Sequence, residues 1–201
     1  MALGGDYLLG PAATLRAQEA ALQGCRRCKL CEARNTIVFG TGNPRAELVV
    51  IGEGPGADED AQGKPFVGRA GELLTRMLAA RGVELSRDEV FITNAVKCRP
   101  PGNRNPEPEE LAACALFLNA QLATLQPKVV LALGRVAAQA LLATKEPIGA
   151  LRGKIHPYRG GVLIPTFHPA FLLRNPGPEY KRMAWDDLKL ARREYDARRT
   201  R

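Results

Sequence analysis

The stretch VVIGEGPGADEDAQGKPFVGRAG, residues 49–71, joins a run of apolar residues to a loop rich in glycine, proline and acidic residues. The apolar run at 47–53 is too continuous to leave one face in water, so it predicts a strand that is buried on both faces. Buried strands of this kind are typical of parallel sheets, in which ligands bind beyond the carboxyl ends of the strands. The loop that follows is therefore the first place to look for a binding site.

The composition of this loop excludes the common phosphate-binding loops. GEGPG is not followed by the GK[ST] of a P-loop, and it is not a G-x-G-x-x-G that opens directly into a helix. Pro55 and the acidic run at 58–60 are also unfavourable for a pyrophosphate. We instead predict that the glycines let backbone N–H groups approach a flat, uncharged ligand. Glu53 would lie at the strand tip and Phe66 would provide a stacking surface.

The rest of the chain alternates strand patterns with helical patterns. Further strands are predicted at 90–96, 129–134 and 161–167, and helices before Cys25 and at 69–81, about 107–125, 135–143 and about 178–198. Alternation of this kind implies βαβ crossovers. We predict an α/β fold, a three-layer α/β/α sandwich with a short four-stranded parallel sheet, formed by residues 1–201 as a single domain.

The charge of the chain favours a polyanionic partner. The sequence has 29 Lys and Arg against 21 Asp and Glu, a formal net charge of +8. The excess is concentrated in loops and at the ends, which favours nucleic acid over a membrane surface. A solvated surface with a frayed basic tail at about 192–201 is the alternative. With no apolar stretch long enough to span a bilayer and no secretion signal, we expect an intracellular, cytoplasmic monomer.

Five cysteines in an intracellular chain suggest a metal site rather than disulfides. Cys25, Cys28 and Cys31 lie close together, while Cys98 and Cys114 lie far downstream, so folding has to assemble any shared site. Sequence spacing leaves a tetrahedral zinc site and an iron site equally open.

Three segments together resemble the family-four, iron–sulfur uracil-DNA glycosylases of bacteria and archaea. They are VFGTGNPRAELVVIGEGPGADEDAQGKPFVGRAG, FITNAVKCRPPGNRNP and PTFHPAFLLRNP, and the resemblance runs from Cys25 to about Pro176 in the family's order. The resemblance implies a base-excision repair enzyme that flips uracil out of double- or single-stranded DNA. The enzyme would hydrolyse the N-glycosidic bond, release free uracil and leave an abasic site.

The resemblance also assigns a [4Fe–4S] cluster to four of the five cysteines, Cys25, Cys28, Cys98 and Cys114. Cys31 is spare in this alignment because Arg34 then matches the arginine of the family's N-terminal motif. Zinc on the same thiols is the chief competitor. We expect a structural cluster that ties the N-terminal segment to the loop 98–114 and presents Lys97, Arg99 and Arg104 towards DNA.

The family's motifs imply the roles of the pocket residues. His168 would donate a hydrogen bond to the uracil oxygen on which negative charge develops, Asn94 would read the N3–H and O4 of uracil, and Phe66 would stack on the ring. Without the resemblance, His168 is more simply a structural histidine and Asn94 a turn former. His156 is expected on the surface of a hairpin.

Two further groups of residues follow from the same resemblance. Glu53 and Gly54 would line the pocket, with Glu53 fixing water or the sugar, and Asn103 belongs to the second motif implicated in hydrolysis. AFLLRNP, residues 170–176, would enter the minor groove, with Leu172 and Leu173 as wedge candidates and Arg174 on the phosphates. The alternative for one of the two leucines is that it packs inward at the start of a helix.

Three alternatives remain open from the sequence. The first is a superfamily member that traps uracil-DNA covalently, and it lacks support because no inserted histidine lies between Cys98 and Cys114. The second is a non-enzymatic iron–sulfur electron carrier, and the third is a plain DNA-binding module. The sequence does not reveal a preference between U:G and U:A pairs, or whether a sliding clamp is a partner.

Overall fold

The computed structural model describes residues 14–199, and a six-stranded sheet lies at its centre. The strands are β1 (Thr41–Gly42), β2 (Leu48–Gly52), β3 (Phe91–Asn94), β4 (Val129–Leu133), β5 (His156–Tyr158) and β6 (Gly161–Thr166). The helices are α1 (Leu15–Leu22), α2 (Leu30–Ala33), α3 (Ala57–Gln62), α4 (Arg69–Ala79), α5 (Pro108–Leu125), α6 (Arg135–Leu142), α7 (Ile148–Leu151), α8 (Pro169–Arg174) and α9 (Pro178–Arg198).

The sheet has the order β1-β3-β2-β4-β6-β5. The four inner strands are parallel, as the apolar runs predict, and this confirms the α/β class. The predicted number of four strands is wrong, because β1 and β5 add an antiparallel strand at each edge. Both additions are only two or three residues long and partly exposed, so they lack the continuous apolar pattern of the inner strands.

Helices cover both faces of the sheet and bury alternate side chains of each strand. On β2, Val49 and Ile51 pack in the core cluster that includes α1 and α5, while Leu48 and Val50 pack in the cluster that includes α4 and α9. All four side chains are at most 1% exposed. This two-sided burial explains the unbroken apolar pattern of the strand and the three-layer arrangement.

The carboxyl ends of the parallel strands bring four loops to one edge of the sheet. Gly52 lies opposite Asn94 in the register of β2 and β3, and β4 and β6 end nearby at Leu133 and Thr166. The segments beginning at Glu53 and at Gly134, together with those that follow β3 and β6, therefore converge at this edge.

The basic stretch from about residue 192 continues α9 to Arg198. Three of its arginines pair with acidic residues of this helix: Arg192 with Asp196 at 2.8 Å, Arg198 with Glu194 at 3.0 Å and Arg199 with Asp196 at 3.6 Å. The last two residues of this stretch lie outside the described residues. In the part of the chain that the structure describes, none of the helices has the length and apolar character needed to cross a membrane.

Candidate active site

A cavity of about 530 Å³ opens at the carboxyl edge of the sheet. Eight residues to which the sequence analysis assigns a role line it: Glu53, Gly54, Phe66, Asn94, Asn103, Arg104, His168 and Arg174. The central ones are contributed by three loops or strand ends that are far apart in the sequence. Loops and strand ends that are far apart in the sequence therefore meet at this edge of the sheet, beyond the carboxyl ends of the parallel strands.

The loop after β2 fixes Phe66 in an uncommon backbone conformation. Phe66 has a φ of 54°, and its side chain is only 6% exposed. The Glu59 carboxylate accepts hydrogen bonds from the backbone N–H groups of Val67 at 2.8 Å and Gly68 at 2.9 Å, which clamps the chain directly after Phe66. Arg87 donates to the Phe66 carbonyl oxygen at 3.0 Å from outside the cavity. These polar contacts hold a left-handed residue that would otherwise be strained.

Asn94 ends β3 with its side chain almost completely buried. Its exposed fraction is 1%, and Oδ1 has no hydrogen-bond partner within the described residues. A buried amide oxygen without a partner costs on the order of 1–3 kcal/mol. Because Asn94 lines the cavity, a ligand with an N–H group is the natural partner for this oxygen.

His168 directly precedes α8, and its ring has a defined tautomer. The backbone N–H of Ala170 donates to Nδ1 at 3.1 Å, so the neutral ring carries its proton on Nε2. Burial, with a smaller contribution from the positive charge of the nearby Arg174, lowers the pKa of His168 from 6.5 to about 4. The imidazole is therefore a neutral hydrogen-bond donor at pH 7.

The Phe66 and His168 rings lie together on one side of the cavity. Their centroids are 5.6 Å apart and their planes are tilted by 30°. Gly52 connects this pair to Asn94: a Cβ atom on Gly52 would overlap Asn94 Oδ1 and would lie 2.6 Å from Phe66 Cζ. The ring, the amide and the imidazole thus line the same cavity.

Glu53 belongs to a polar group on another side of the cavity. The Asn105 side chain lies between Glu53 and Arg135, and one orientation of its amide satisfies both neighbours. In that orientation Asn105 Nδ2 donates to Glu53 Oε1 at 3.2 Å, and Asn105 Oδ1 accepts from Arg135 Nη2 at 2.9 Å. Burial raises the pKa of Glu53, while Arg135 and Arg174 act in the opposite direction. A carboxylate in this position can orient water or stabilise a positive charge.

Asn103 lies at the rim of the cavity. It is exposed, has a φ of 56°, and its Oδ1 accepts from Arg99 Nε at 2.7 Å. The residue that contacts Glu53 from this loop is Asn105 rather than Asn103. Sequence reasoning did not single out Asn105, although both belong to the polar GNRN stretch.

The two leucines of α8 have different environments. Leu172 is 3% exposed and packs with Phe167 and Ala184, so its prediction as a wedge is wrong. The helical periodicity turns Leu173 outwards, where it is 36% exposed. Arg174 follows it and is also exposed.

The five cysteines line a single small cavity next to α5. Arg34 Nη1 donates to Cys98 Sγ at 3.2 Å, and the backbone N–H of Lys97 donates to Cys114 Sγ at 3.3 Å. Burial raises the pKa of Cys114 to about 11, so this thiol stays protonated unless it binds a cation. Between Thr14 and Arg199, no group of three or more His, Cys, Asp or Glu side chains is arranged to hold a metal ion.

The three basic residues predicted to face DNA behave differently. Lys97 is 0% exposed, so the prediction that it faces DNA is wrong. Its ammonium group instead bonds three buried oxygens, which the sequence does not reveal. Arg104 forms an ion pair with Glu110 at 2.7 Å and lines the cavity, while Arg99 is partly exposed. His156 lies on the β5–β6 hairpin as expected, although it is half-buried.

Two further residues shape the site without having been singled out for it. Glu59 follows Gly56 by three residues, the spacing of a capping box, and this pattern could have indicated its role. Gly52 ends an apolar strand, and nothing in its local sequence indicates that two site residues pack against it.

Comparisons with known proteins agree with this geometry. The sequence model of the "Uracil DNA glycosylase superfamily" matches residues 39–189. The chain is 46% identical over 170 residues to a Type-4 uracil-DNA glycosylase of Thermotoga maritima, which covers 84% of this chain and 88% of that protein. It is also 46% identical over 160 residues to a Type-4 uracil-DNA glycosylase of Saccharolobus solfataricus, covering 76% of this chain and 74% of the relative.

A more distant relative is a Type-5 uracil-DNA glycosylase of Thermus thermophilus, 39% identical over 141 residues, or 64% of this chain and 62% of that protein. The superfamily match includes the loop after β2, the end of β3 and the segment around His168. The chain belongs to the uracil DNA glycosylase superfamily.

Proposed function

We propose that the protein is a uracil-DNA glycosylase of base-excision repair, which releases free uracil from double- and single-stranded DNA and leaves an abasic site. The observation that carries this proposal is the buried Oδ1 of Asn94, which has no hydrogen-bond partner among residues 14–199 and lies next to the Phe66 ring in the cavity that His168 also lines. Uracil has an N3–H donor that fits this oxygen, whereas cytosine has an acceptor at N3. The target nucleotide has to leave the base stack before it enters such a site.

The proposed reaction is hydrolysis of the bond between C1′ of deoxyribose and N1 of uracil. The electron pair of this bond leaves with uracil, and the sugar becomes cationic. Water then adds its oxygen to C1′, and the proton that it releases balances the charge of the uracil anion. The protein has to stabilise a negative base and a positive sugar at the same time.

His168 and Glu53 are assigned to these two charges. The Nε2–H of His168 donates to the uracil oxygen on which negative charge develops, and a preorganised donor of this kind contributes roughly 3–4 kcal/mol. Glu53, linked to Arg135 through Asn105, orients water or stabilises the sugar cation. Gly54 lines the cavity, and a Cβ there would lie 2.8 Å from Val96 Cγ2, so a side chain at this position would force Val96 or the loop to move. Asn103 is retained as a residue of the cavity rim.

DNA would lie across the mouth of the cavity. Leu173 is proposed to occupy the space that the extruded base leaves in the duplex, and Arg174 to contact phosphate. We expect the enzyme to act as a monomer in the cytoplasm, on the chromosomal DNA of a prokaryotic nucleoid.

The cysteines are proposed to hold a [4Fe–4S] cluster through Cys25, Cys28, Cys98 and Cys114. A zinc ion on the same thiols is the competing proposal, and elemental analysis for iron and zinc separates the two. A cluster would be held by these four thiolates, and donors to the sulfur atoms, such as Arg34 to Cys98, are typical of such sites. When bound, the cluster would tie the segment before β1 to α5 and supply no step of the hydrolysis.

The test is release of free uracil from an oligonucleotide with one uracil, for the wild type, His168→Ala and Asn94→Ala. We expect wild-type activity and losses of about 10²–10³-fold in both variants. His156→Ala changes the only other histidine and is the matched control, expected to retain activity. Absence of uracil release by the iron-loaded wild type would refute the enzymatic proposal in favour of an electron carrier or a DNA-binding module.

A further inference from the structure

Lys97 is the largest fully buried side chain of the described residues, and its ammonium group contacts no carboxylate. Its three N–H donors are all used: Nζ lies 2.6 Å from Thr93 Oγ1, 2.7 Å from Gln121 Oε1 and 2.8 Å from the backbone oxygen of Asn94. Burial of an ammonium group is costly unless every donor is satisfied. A buried lysine with this arrangement is therefore a specific structural feature.

The oxygens around Lys97 are themselves held in place. The Phe39 carbonyl oxygen accepts from Thr93 Oγ1 at 2.8 Å and from Gln121 Nε2 at 2.9 Å. All of these atoms belong to buried residues, where hydrogen bonds are strong and an unmade one is expensive. Lys97 is thus bound to a rigid group that has little freedom to move.

The contact to the Asn94 oxygen links this group to the cavity. Asn94 is the last residue of β3, and its side-chain oxygen has no hydrogen-bond partner within the described residues. The position of the side chain therefore depends on the orientation of its own peptide unit, because the Cα–Cβ bond follows the backbone. The Lys97 ammonium fixes that peptide unit through its carbonyl oxygen.

We propose that Lys97 is a positioning residue for base recognition: its buried ammonium holds the backbone carbonyl of Asn94, so that the Asn94 side-chain amide faces the base. This inference rests on the proposed function. Lys97 itself touches no substrate. Its backbone N–H also donates to Cys114 Sγ at 3.3 Å, so the residue lies between the cysteine site and the cavity.

Two variants of similar length separate the donor from the bulk of the side chain. Lys97→Met removes all donors, while Lys97→Gln retains an amide N–H that can bond the Asn94 oxygen. We expect kcat/KM for uracil release to fall about 10–100-fold in Lys97→Met, because a site residue displaced by about 1 Å costs about that much. Lys97→Gln should recover part of the loss. Affinity for free uracil, measured by calorimetry, should weaken in the same order with iron content unchanged.

A double-mutant cycle with Asn94→Ala provides the decisive readout. If Lys97 acts through Asn94, Lys97→Met should lower activity less than about threefold once Asn94 is already alanine. Asp60→Asn is the control, because Asp60 is a buried acid that bonds the backbone of Asn35 and Thr36 outside the cavity. Asp60→Asn should change uracil release by the same factor in the wild-type enzyme and in the Asn94→Ala variant.

Equal losses from Lys97→Met in both backgrounds, or a wild-type affinity for uracil, would overturn the proposal. If Lys97→Met does not fold or loses iron, the same cycle is measured with Lys97→Gln, and the same criteria apply. The wild type is assayed first, so a failure of the proposed function appears as absence of uracil release. Failure of the positioning role alone appears as missing coupling in an active enzyme.

Discussion

Replacing Gly52 by alanine adds one methyl group against Asn94 and Phe66, two residues that line the cavity. A Cβ atom built on Gly52 overlaps Asn94 Oδ1 and lies 2.6 Å and 2.9 Å from two atoms of the Phe66 ring. Separations under 3 Å between carbon atoms are well below the optimum of roughly 3.5–4.0 Å. The backbone of Gly52 is not in the left-handed region, so the change is purely steric. Asn94 and Phe66 both have to move, or β2 has to shift.

The expected magnitudes follow from this geometry. Overpacking of a buried site by one methyl group destabilises a protein by about 1–3 kcal/mol. Displacement of recognition groups by about 1 Å costs on the order of 10²-fold in activity. We therefore expect Gly52→Ala to fold, with a midpoint in urea only moderately lowered, and to lose about 10²-fold or more in kcat/KM.

The assay is uracil release from single-stranded and duplex oligonucleotides, together with calorimetric binding of free uracil. Gly149→Ala is the matched control, since it adds the same methyl group where no atom lies within 4 Å. That variant should retain activity. A Gly52→Ala enzyme with kcat/KM within threefold of the wild type and unchanged affinity for uracil would refute the assignment of Asn94 and Phe66 to binding of the base.

Three other predictions test separate parts of the structure. Leu173→Ala should weaken activity on duplex DNA more than on single strands. Leu172→Ala should instead lower the free energy of unfolding by about 2–5 kcal/mol, because this side chain is buried. A loss of duplex activity in Leu172→Ala that Leu173→Ala does not show would reverse this assignment. Because the pKa of His168 is lowered from 6.5 to about 4, the unfolded state binds the proton first as pH falls through this window. Stability should drop by about 2 kcal/mol between pH 6.5 and 4 in urea titrations, and His168→Gln should lack this part of the dependence. Cys31→Ala should retain about four irons per chain, and Cys98→Ser should lose them, as measured by elemental analysis and visible absorbance. Loss of iron from Cys31→Ala would show that Cys31 belongs to the cysteines that bind the cluster.

The parts of the fold that could be predicted are those in which burial requires a recognisable pattern of apolar residues in the sequence. β2 and β4 have no polar side chain because both faces of these strands are covered, so the apolar runs at 47–53 and 129–134 predict them to within one residue at each end. By contrast, α3 was missed because ADEDAQ has no apolar stripe: the helix is held by the polar contacts of Asp60 and Glu59. Polar contacts of this kind depend on partners far away in the sequence.

The candidate site divides in the same way. Asn94 and His168 could be found because they are polar residues at the ends of apolar strands, and the topology brings such ends together. Lys97 was misassigned because a lysine next to arginines in a basic loop is ordinarily exposed. Its burial depends on Thr93 and Gln121, and the second of these is on α5. The sequence between residues 94 and 98 does not contain that information.

The neutral state of His168 is the choice that the energetics favour. With a pKa of about 4, charging the imidazole at pH 7 would cost up to about 4 kcal/mol. That cost is comparable with the whole benefit of a preorganised donor at a developing anion. Part of this cost comes from Arg174, since a second positive charge nearby disfavours an imidazolium. A neutral Nε2–H, fixed by the Ala170 N–H at Nδ1, therefore provides the hydrogen bond without the cost of protonation. It follows that activity should not rise as pH falls from 8 to 6, and an increase in kcat over that range would indicate that an imidazolium takes part.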